Sequence, residues 1–400
     1  MKRLHGWQTS TLGEVSKIGG GSGFPDLYQG STTGDFPFIK VSDLNLPGNE
    51  RNVIHANNWV TEDVRRKLKA KVQPSGSIVF AKVGGAMLTN KRRILTRPTI
   101  IDNNMMALQA EGVDQHYLYQ FMLTLDLGRY RQEGAVPSVN SSRVAEIVID
   151  LPPPSEQRKI ADILTTWDEA LTQLDALIEA QERRKKALMQ QLLTGRRRLK
   201  GFSKPWKRFR FSELLEPKDR YVDFNDDHTY SLVSIRRRSG GVFFREALQG
   251  GDIKTKVMKR VHTGDFLISR MQVVHGALGI VRPECDGMYA SDSYDVLVAK
   301  NENILHMPFL DWMSRLRSFW HLAYISSHGV HIEKMTFKLS DFMHEKITIP
   351  SDLEEQRQIA ALLDTADHQL TLLRTQRTAL DQQKRGLMQR LLTGNLRVKL

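Results

Sequence analysis

Two basic stretches of this 400-residue chain hold the side chains best suited to gripping another molecule. The first, Lys82 to Arg97, reads KVGGAMLTNKRRILTR: a glycine pair, then Asn90, Lys91, Arg92 and Arg93 in succession. Lysine and arginine donate to phosphate oxygens and to the acceptors on the guanine edge, and an asparagine amide matches adenine. The second is discontinuous: Arg236-Arg237-Arg238, then Arg270, Gln272 and His275. We take Lys82, Asn90, Lys91, Arg92, Arg93, Arg236, Arg237, Arg270, Gln272 and His275 as candidate DNA contacts. A solvated basic hairpin is the alternative for the first stretch. If Arg92 reads a guanine, Arg92→Ala costs on the order of 1–3 kcal/mol at that base alone. An equal loss on every sequence, with a shallower salt dependence, assigns it to phosphate instead.

No catalytic pattern accompanies these groups. Amino-group methylation of a base needs a polar residue, two prolines and an aromatic in succession, and Leu151-Pro152-Pro153-Pro154 has the wrong flanks. A phosphate-binding loop starting at Gly85 would need glycine where Asn90 stands. Asp252-Ile253-Lys254 is a fragment of a nuclease motif without the upstream Pro-Asp. His328, His331 and Glu333 fit no strong metal template. Gly19-Gly20-Gly21-Ser22-Gly23 resembles a phosphate cradle but lacks Gly-Lys-Ser/Thr, and we read it as a flexible loop. The lone Cys285 excludes internal disulfides and suits a reducing cytosol. No catalytic residue, metal site or bound cofactor is expected in this chain.

The elements that position these residues follow from a repeat. Glu156 to Gly195 recurs without a gap at Glu355 to Gly394, an offset of 199, with 20 identities in 40 positions. The same offset pairs Trp7 with Trp206 and Glu14 with Glu213. Each copy has the apolar spacing of a long helix, three and four residues apart. We assign the seam to Ile160, Ile163, Trp167, Leu174 and Leu188 in one copy, and to Ile359, Leu362, Leu373, Leu380 and Leu387 in the other. Prolines 152–154 and 350 precede the helices, and Gly195 and Gly394 stop them. About 38 residues give a rod of roughly 57 Å. One such stripe cannot be buried alone, so the two helices are expected to pair, antiparallel if a pseudo-twofold axis relates the halves.

Short strand signals at Phe36–Val41, Ser77–Ala81 and Tyr230–Ile235 fill the regions before each helix. Val72–Lys82 is echoed by Val261–Arg270, so Arg270 takes the place of Lys82. The expected fold is α+β, with tandem α/β heads at 1–150 and 200–349 and helical regions at 151–199 and 350–400. The net charge of +13 and pI near 9.7 favour a polyanion as partner. The opening MKRLHGWQTS has no apolar core of leader length, and no run approaches a membrane span. A cytoplasmic location is expected.

The proline-led Glu-Gln-Arg-x-Ile-Ala starts at 156–161 and 355–360 carry a family resemblance, together with the Leu-Met-Gln-x-Leu-Leu-Thr-Gly ends at 188–195 and 387–394. With Trp7 and Leu12-Gly13-Glu14, they make the chain resemble, over its whole length, the specificity (S) subunit of Type I restriction–modification enzymes. At Trp206 the echo has Phe211-Ser212 for Leu-Gly, a small departure. The resemblance implies two target-recognition domains, each reading half of a split, asymmetric site in double-stranded DNA. It implies helices that set the spacer and dock two modification (M) subunits, which carry S-adenosylmethionine and methylate adenine N6. Restriction (R) subunits, with ATP and Mg2+, join that core. The competing readings are a stand-alone two-headed DNA-binding regulator and a coiled-coil adaptor.

Overall fold

A computed structural model describes residues 6–132 and 134–399, so the first five residues of the stretch read for a leader lie outside it. The chain forms two compact units. Unit 1 is Met1–Asp175 with Thr375–Leu400, and unit 2 is Ala176–Arg374. Each long helix, Pro154–Leu192 and Leu353–Leu392, is thus divided between them.

Unit 1 holds a five-stranded sheet in the order Ser16–Gly20, Met105–Ala110, Ile78–Ala81, Arg92–Leu95, Asn52–Val53. A mixed four-stranded sheet runs Trp59–Val60, Phe36–Ile39, Thr99–Ile101, Val72–Gln73. Unit 2 repeats the first plan as Leu215–Pro217, Tyr294–Ala299, Phe266–Ser269, Leu278–Ile280. It repeats the second as Val242–Gln249, Thr229–Ile235, Tyr289–Ser291, Met258–Arg260, with the parallel pair at the same place. The central strands Ile78–Ala81 and Phe266–Ser269 are buried at every residue, which suits a run of apolar side chains without alternation.

The glycine-rich stretch is part of this framework, which corrects its reading as a flexible loop. Gly19 and Gly20 lie in an edge strand, and Ser22 N donates to Ile101 O at 2.9 Å. A Cβ on Gly21 would fall 1.7 Å from the Asp102 carbonyl oxygen. The glycine is there because two backbones touch.

Within each unit the long helices pair antiparallel. In unit 1 Ile160, Ala161 and Leu164 pack with Leu391 and Leu392 on the core beneath the sheet. In unit 2 Leu192 and Leu193 pack with Ile359, Ala360 and Leu363. The start of one helix and the end of the other therefore complete each core. Gly195 and Gly394 both adopt φ +68°, a left-handed stop that glycine takes without strain.

The polar fittings repeat at the same offset. Glu156 is buried and accepts from Arg397 Nε and Nη2 at 2.7 and 2.8 Å; Glu355 is buried and accepts from Arg198 Nη2 at 2.7 Å. Each guanidinium lies over a tryptophan, Trp7 or Trp206, at 5.8 and 5.9 Å. Gln157 Oε1 accepts from Asp114 N at 2.9 Å, and Gln356 Oε1 from His306 N at 2.9 Å. Glu14 and Glu213 cap matched short helices by accepting from Thr11 N and Arg210 N. The pairs Asp168–Lys384 and Asp367–Lys185 cross between helices in their respective units.

The seam differs in detail from its assignment. Ile160, Leu174 and Ile359 are buried; Ile163, Trp167, Leu188, Leu373, Leu380 and Leu387 are half-buried. Leu362 is 39% exposed, and the inward position is Leu363, the match of Leu164. The stripe has to follow a head core at one end of each helix and a single partner helix further along, so one heptad phase does not serve throughout.

Burial pushes the Asp367 carboxyl up, but the Lys185 ammonium, helped by Arg315 and Arg282, outweighs it and holds the group below its ordinary 3.8. A depressed folded-state value contributes stability above pH 3.8 that is lost as pH falls through the folded value. Asp367→Asn is therefore expected to lower the urea midpoint at pH 7, with the gap to wild type closing as pH falls below about 3.8.

Candidate nucleic-acid interface

The first basic stretch is strand and turn more than loop. It leaves the central strand at Lys82, makes a short helix at Gly85–Leu88 and returns as the strand Arg92–Leu95. Asn90 makes the return turn with φ +55°, and its side chain is engaged at both the oxygen and the nitrogen. Asn90 Oδ1 accepts from Arg92 Nη1 at 3.0 Å and Leu127 N at 3.1 Å, while Nδ2 donates to Asp126 Oδ1 at 3.1 Å.

Arg92 faces inward on its strand and has no exposed surface. Its Nη2 donates to the Leu125 carbonyl at 2.9 Å, and the guanidinium lies 5.9 Å from the Phe80 ring centre. Burial lowers its pKa to about 10, so it stays cationic at neutral pH. Arg92 thus ties a strand to the Leu125–Leu127 segment and is withheld from any base, contrary to the expectation from its chemistry. Arg93 alternates to the other side, is half-buried, and donates from Nη1 to its neighbour's carbonyl at 2.8 Å. Lys91 is exposed and donates to Asn45 Oδ1; Lys82 is half-buried.

In unit 2 the candidates converge. Arg236 and Arg237 are exposed at the tip of the hairpin Thr229–Ile235/Val242–Gln249, with Arg236 stacked 3.9 Å over Phe243. The next residues, Arg238 and Ser239, turn through left-handed φ values and donate their N–H groups to the carbonyls of His275 and Gly276, at 2.7 and 2.8 Å. The hairpin tip is thereby fastened to the turn that carries Gln272 and His275. His275 Nε2 lies 3.3 Å from Glu333 Oε1.

Arg270 follows the central strand, as Lys82 does in unit 1: Lys82 N donates to Asn104 O at 2.8 Å and Arg270 N to Ser293 O at 3.0 Å. Arg270 also has a built support that the sequence did not disclose. Its Nη2 and Nε donate to Asp295 Oδ1 at 2.7 and 3.0 Å, which raises its pKa. Asp292, 3.7 Å from Arg270 Nη1, shares the buried Lys259 with Asp219, at 3.3 and 2.7 Å. The available signal was a charged residue inside the apolar strand run YDVLVA. By strand pairing, the place of Asp295 is taken in unit 1 by Met106, so Lys82 has no such carboxylate.

Of the residues considered for a metal, His328 is otherwise engaged, its Nε2 2.6 Å from Asp341 Oδ2, and Glu333 faces His275. Asp252 closes a short turn and Lys254 lines a cleft of unit 2 with Arg245 and Tyr294. Among the described residues, no group of three or more histidine, cysteine, aspartate or glutamate side chains is placed to hold a metal ion. No helix among the described residues is long and apolar enough to cross a membrane.

One topology used twice, with different polar groups at matching strand ends, defines a duplicated recognition scaffold. The family model described as Type I restriction modification DNA specificity domain matches residues 5–182 and again 203–382, and the chain belongs to that family. It is a specificity component and not a catalyst. It is similar to the type I restriction enzyme MjaVIII specificity subunit of Methanocaldococcus jannaschii, 24% identical over 327 residues, 76% of either chain. The S subunit of the Type I restriction–modification system from M. genitalium shares the fold with TM-score 0.61 at 12% identity, over 98% of both chains. A chain from a structure of type I R-M complex assembly and conformational transition gives TM-score 0.58 at 16% identity, over 99% of this chain and 100% of that one.

Replacing Arg92 with methionine strips donors from Asn90 and the Leu125 carbonyl, at about 1–3 kcal/mol for groups left unsatisfied. Arg92→Met is expected to lower the denaturation midpoint while leaving the recognised DNA sequence unchanged, as mapped by base modification in cells.

Proposed function

We propose that the chain is the DNA-recognition subunit of a Type I restriction–modification complex and reads a bipartite, asymmetric site. The observation that carries this is the pair of matched strand ends: Arg270 is braced on Asp295 in one unit, whereas in the other Lys82 follows a strand whose partner has Met106 at that register position. Two heads that keep a scaffold and change its polar tips are suited to two different half-sites.

In this reading the exposed Lys91, the half-buried Lys82 and Arg93 and the many exposed cations elsewhere supply the salt-sensitive phosphate affinity. Arg270, Arg236, Arg237, Gln272 and His275 discriminate bases in the second half-site. Asn90 and Arg92 shape the first head from within. Two M subunits dock on the helical regions and bring S-adenosylmethionine and adenine N6 methylation; R subunits bring ATP, Mg2+ and cleavage. The unread spacer is a property of the helical segments, and the complex works in the cytoplasm.

The test is genome-wide detection of modified bases in cells carrying this chain with its M subunit, against cells lacking only this chain. N6-methyladenine at one interrupted, asymmetric motif, lost in the control, is expected. Methylation indifferent to the chain sinks the proposal and favours a self-sufficient two-headed regulator.

A further inference from the structure

Both units carry a feature that cationic recognition leaves without a role. The residue after each central strand accepts a backbone hydrogen bond from an incoming segment: Lys82 O from Val139 N, and Arg270 O from Phe337 N, each 2.9 Å. In both units that segment presents an exposed valine, Val136 at 56% and Val330 at 94%.

In unit 2 the segment is a closed hairpin. Ser327 pairs with Phe337 and His328 with Thr336. Met335 is buried beneath it, and Gly329 lies so close to the facing backbone that a Cβ would sit 2.9 Å from Lys334 O and Met335 Cα. The tip, Val330 with the 51% exposed Ile332, is thus held outward by its own base. The helix turn leading into it exposes Tyr324 and Ile325 as well.

The surroundings carry lysines together with the carboxylate of Glu333. The hairpin leaves from the Arg270 carbonyl, its Glu333 meets His275, and the same turn receives the Arg238 N–H. Lys334 and Lys338 flank it in exposed positions. Aliphatic side chains flanked by exposed lysines match the DNA major groove, where the C5 methyl of thymine is the apolar group between two rows of phosphates. We propose that Val330 and Ile332 read thymine methyl groups in the half-site bound by unit 2. The proposal rests on the DNA-recognition reading above.

The experiment uses the chain in complex with its M subunits and duplexes carrying the methylated motif. Each thymine is replaced in turn by deoxyuridine, which lacks only the methyl. One thymine, or two adjacent ones, is expected to lose about three- to fivefold in affinity, the value of one buried methyl-sized group. Val330→Ala, at a surface position that leaves folding alone, is expected to bind the thymine and uracil duplexes equally at that place. Wild-type binding unchanged by every uracil overturns the proposal. So does a Val330→Ala complex that loses M subunits yet keeps the uracil response, since the tip would then face protein. A complex that fails to prefer its motif over a scrambled duplex sinks the recognition reading itself, and this one with it.

Discussion

The apolar stripe of each long helix has to be buried, and neither head can bury it alone. Ile160 and Leu164 need Leu391 and Leu392; Ile359 and Leu363 need Leu192 and Leu193. This division of each core between segments more than two hundred or more than one hundred and fifty positions apart decides much else. It accounts for the glycine stops and for the glutamates buried where the helices begin. A carboxylate at a helix start is favoured by the helix dipole, yet its burial is tolerated only with a cation on it. Arg397 and Arg198 arrive there from the segment that follows the other helix. The charge pairing therefore checks that the correct ends have met.

The helices were legible in the sequence because their pattern is local and occurs twice. Trp7, Trp206, Glu14 and Glu213 were visible as echoes, although their jobs, stacking under an arginine and capping a turn, appear only in three dimensions. The candidate contacts were less legible, for a physical reason. A strand sends successive side chains to opposite faces, so Arg92 and Arg93 have opposite fates despite identical chemistry. Residue type suggested both for the surface; only the position of the Leu125 carbonyl decides that Arg92 points inward. Leu362 and Leu363 pose the same problem on a helix, where one position of phase separates exposed from buried.

The matched strand ends show how one scaffold can carry two specificities. Lys82 ends its strand as an ammonium on an aliphatic stem, with Met106 at the register position of Asp295, whereas Arg270 is a planar group braced by Asp295 and, through Asp292, by the buried Lys259. A braced fork loses less freedom on meeting a flat base edge than an unbraced chain does. The difference costs the fold little, because both side chains leave the same strand at the same place.

The division of unit 1 between Met1–Asp175 and Thr375–Leu400 also bears on how the chain is made. Unit 2 is one uninterrupted stretch of chain, available as soon as Arg374 has left the ribosome. Unit 1 has its sheets early, but Leu391, Leu392 and Arg397, which cover Ile160 and neutralise Glu156, follow the whole of unit 2 in the chain. The head encoded first is thus completed after the second, and its apolar stripe waits uncovered until unit 2 has been made.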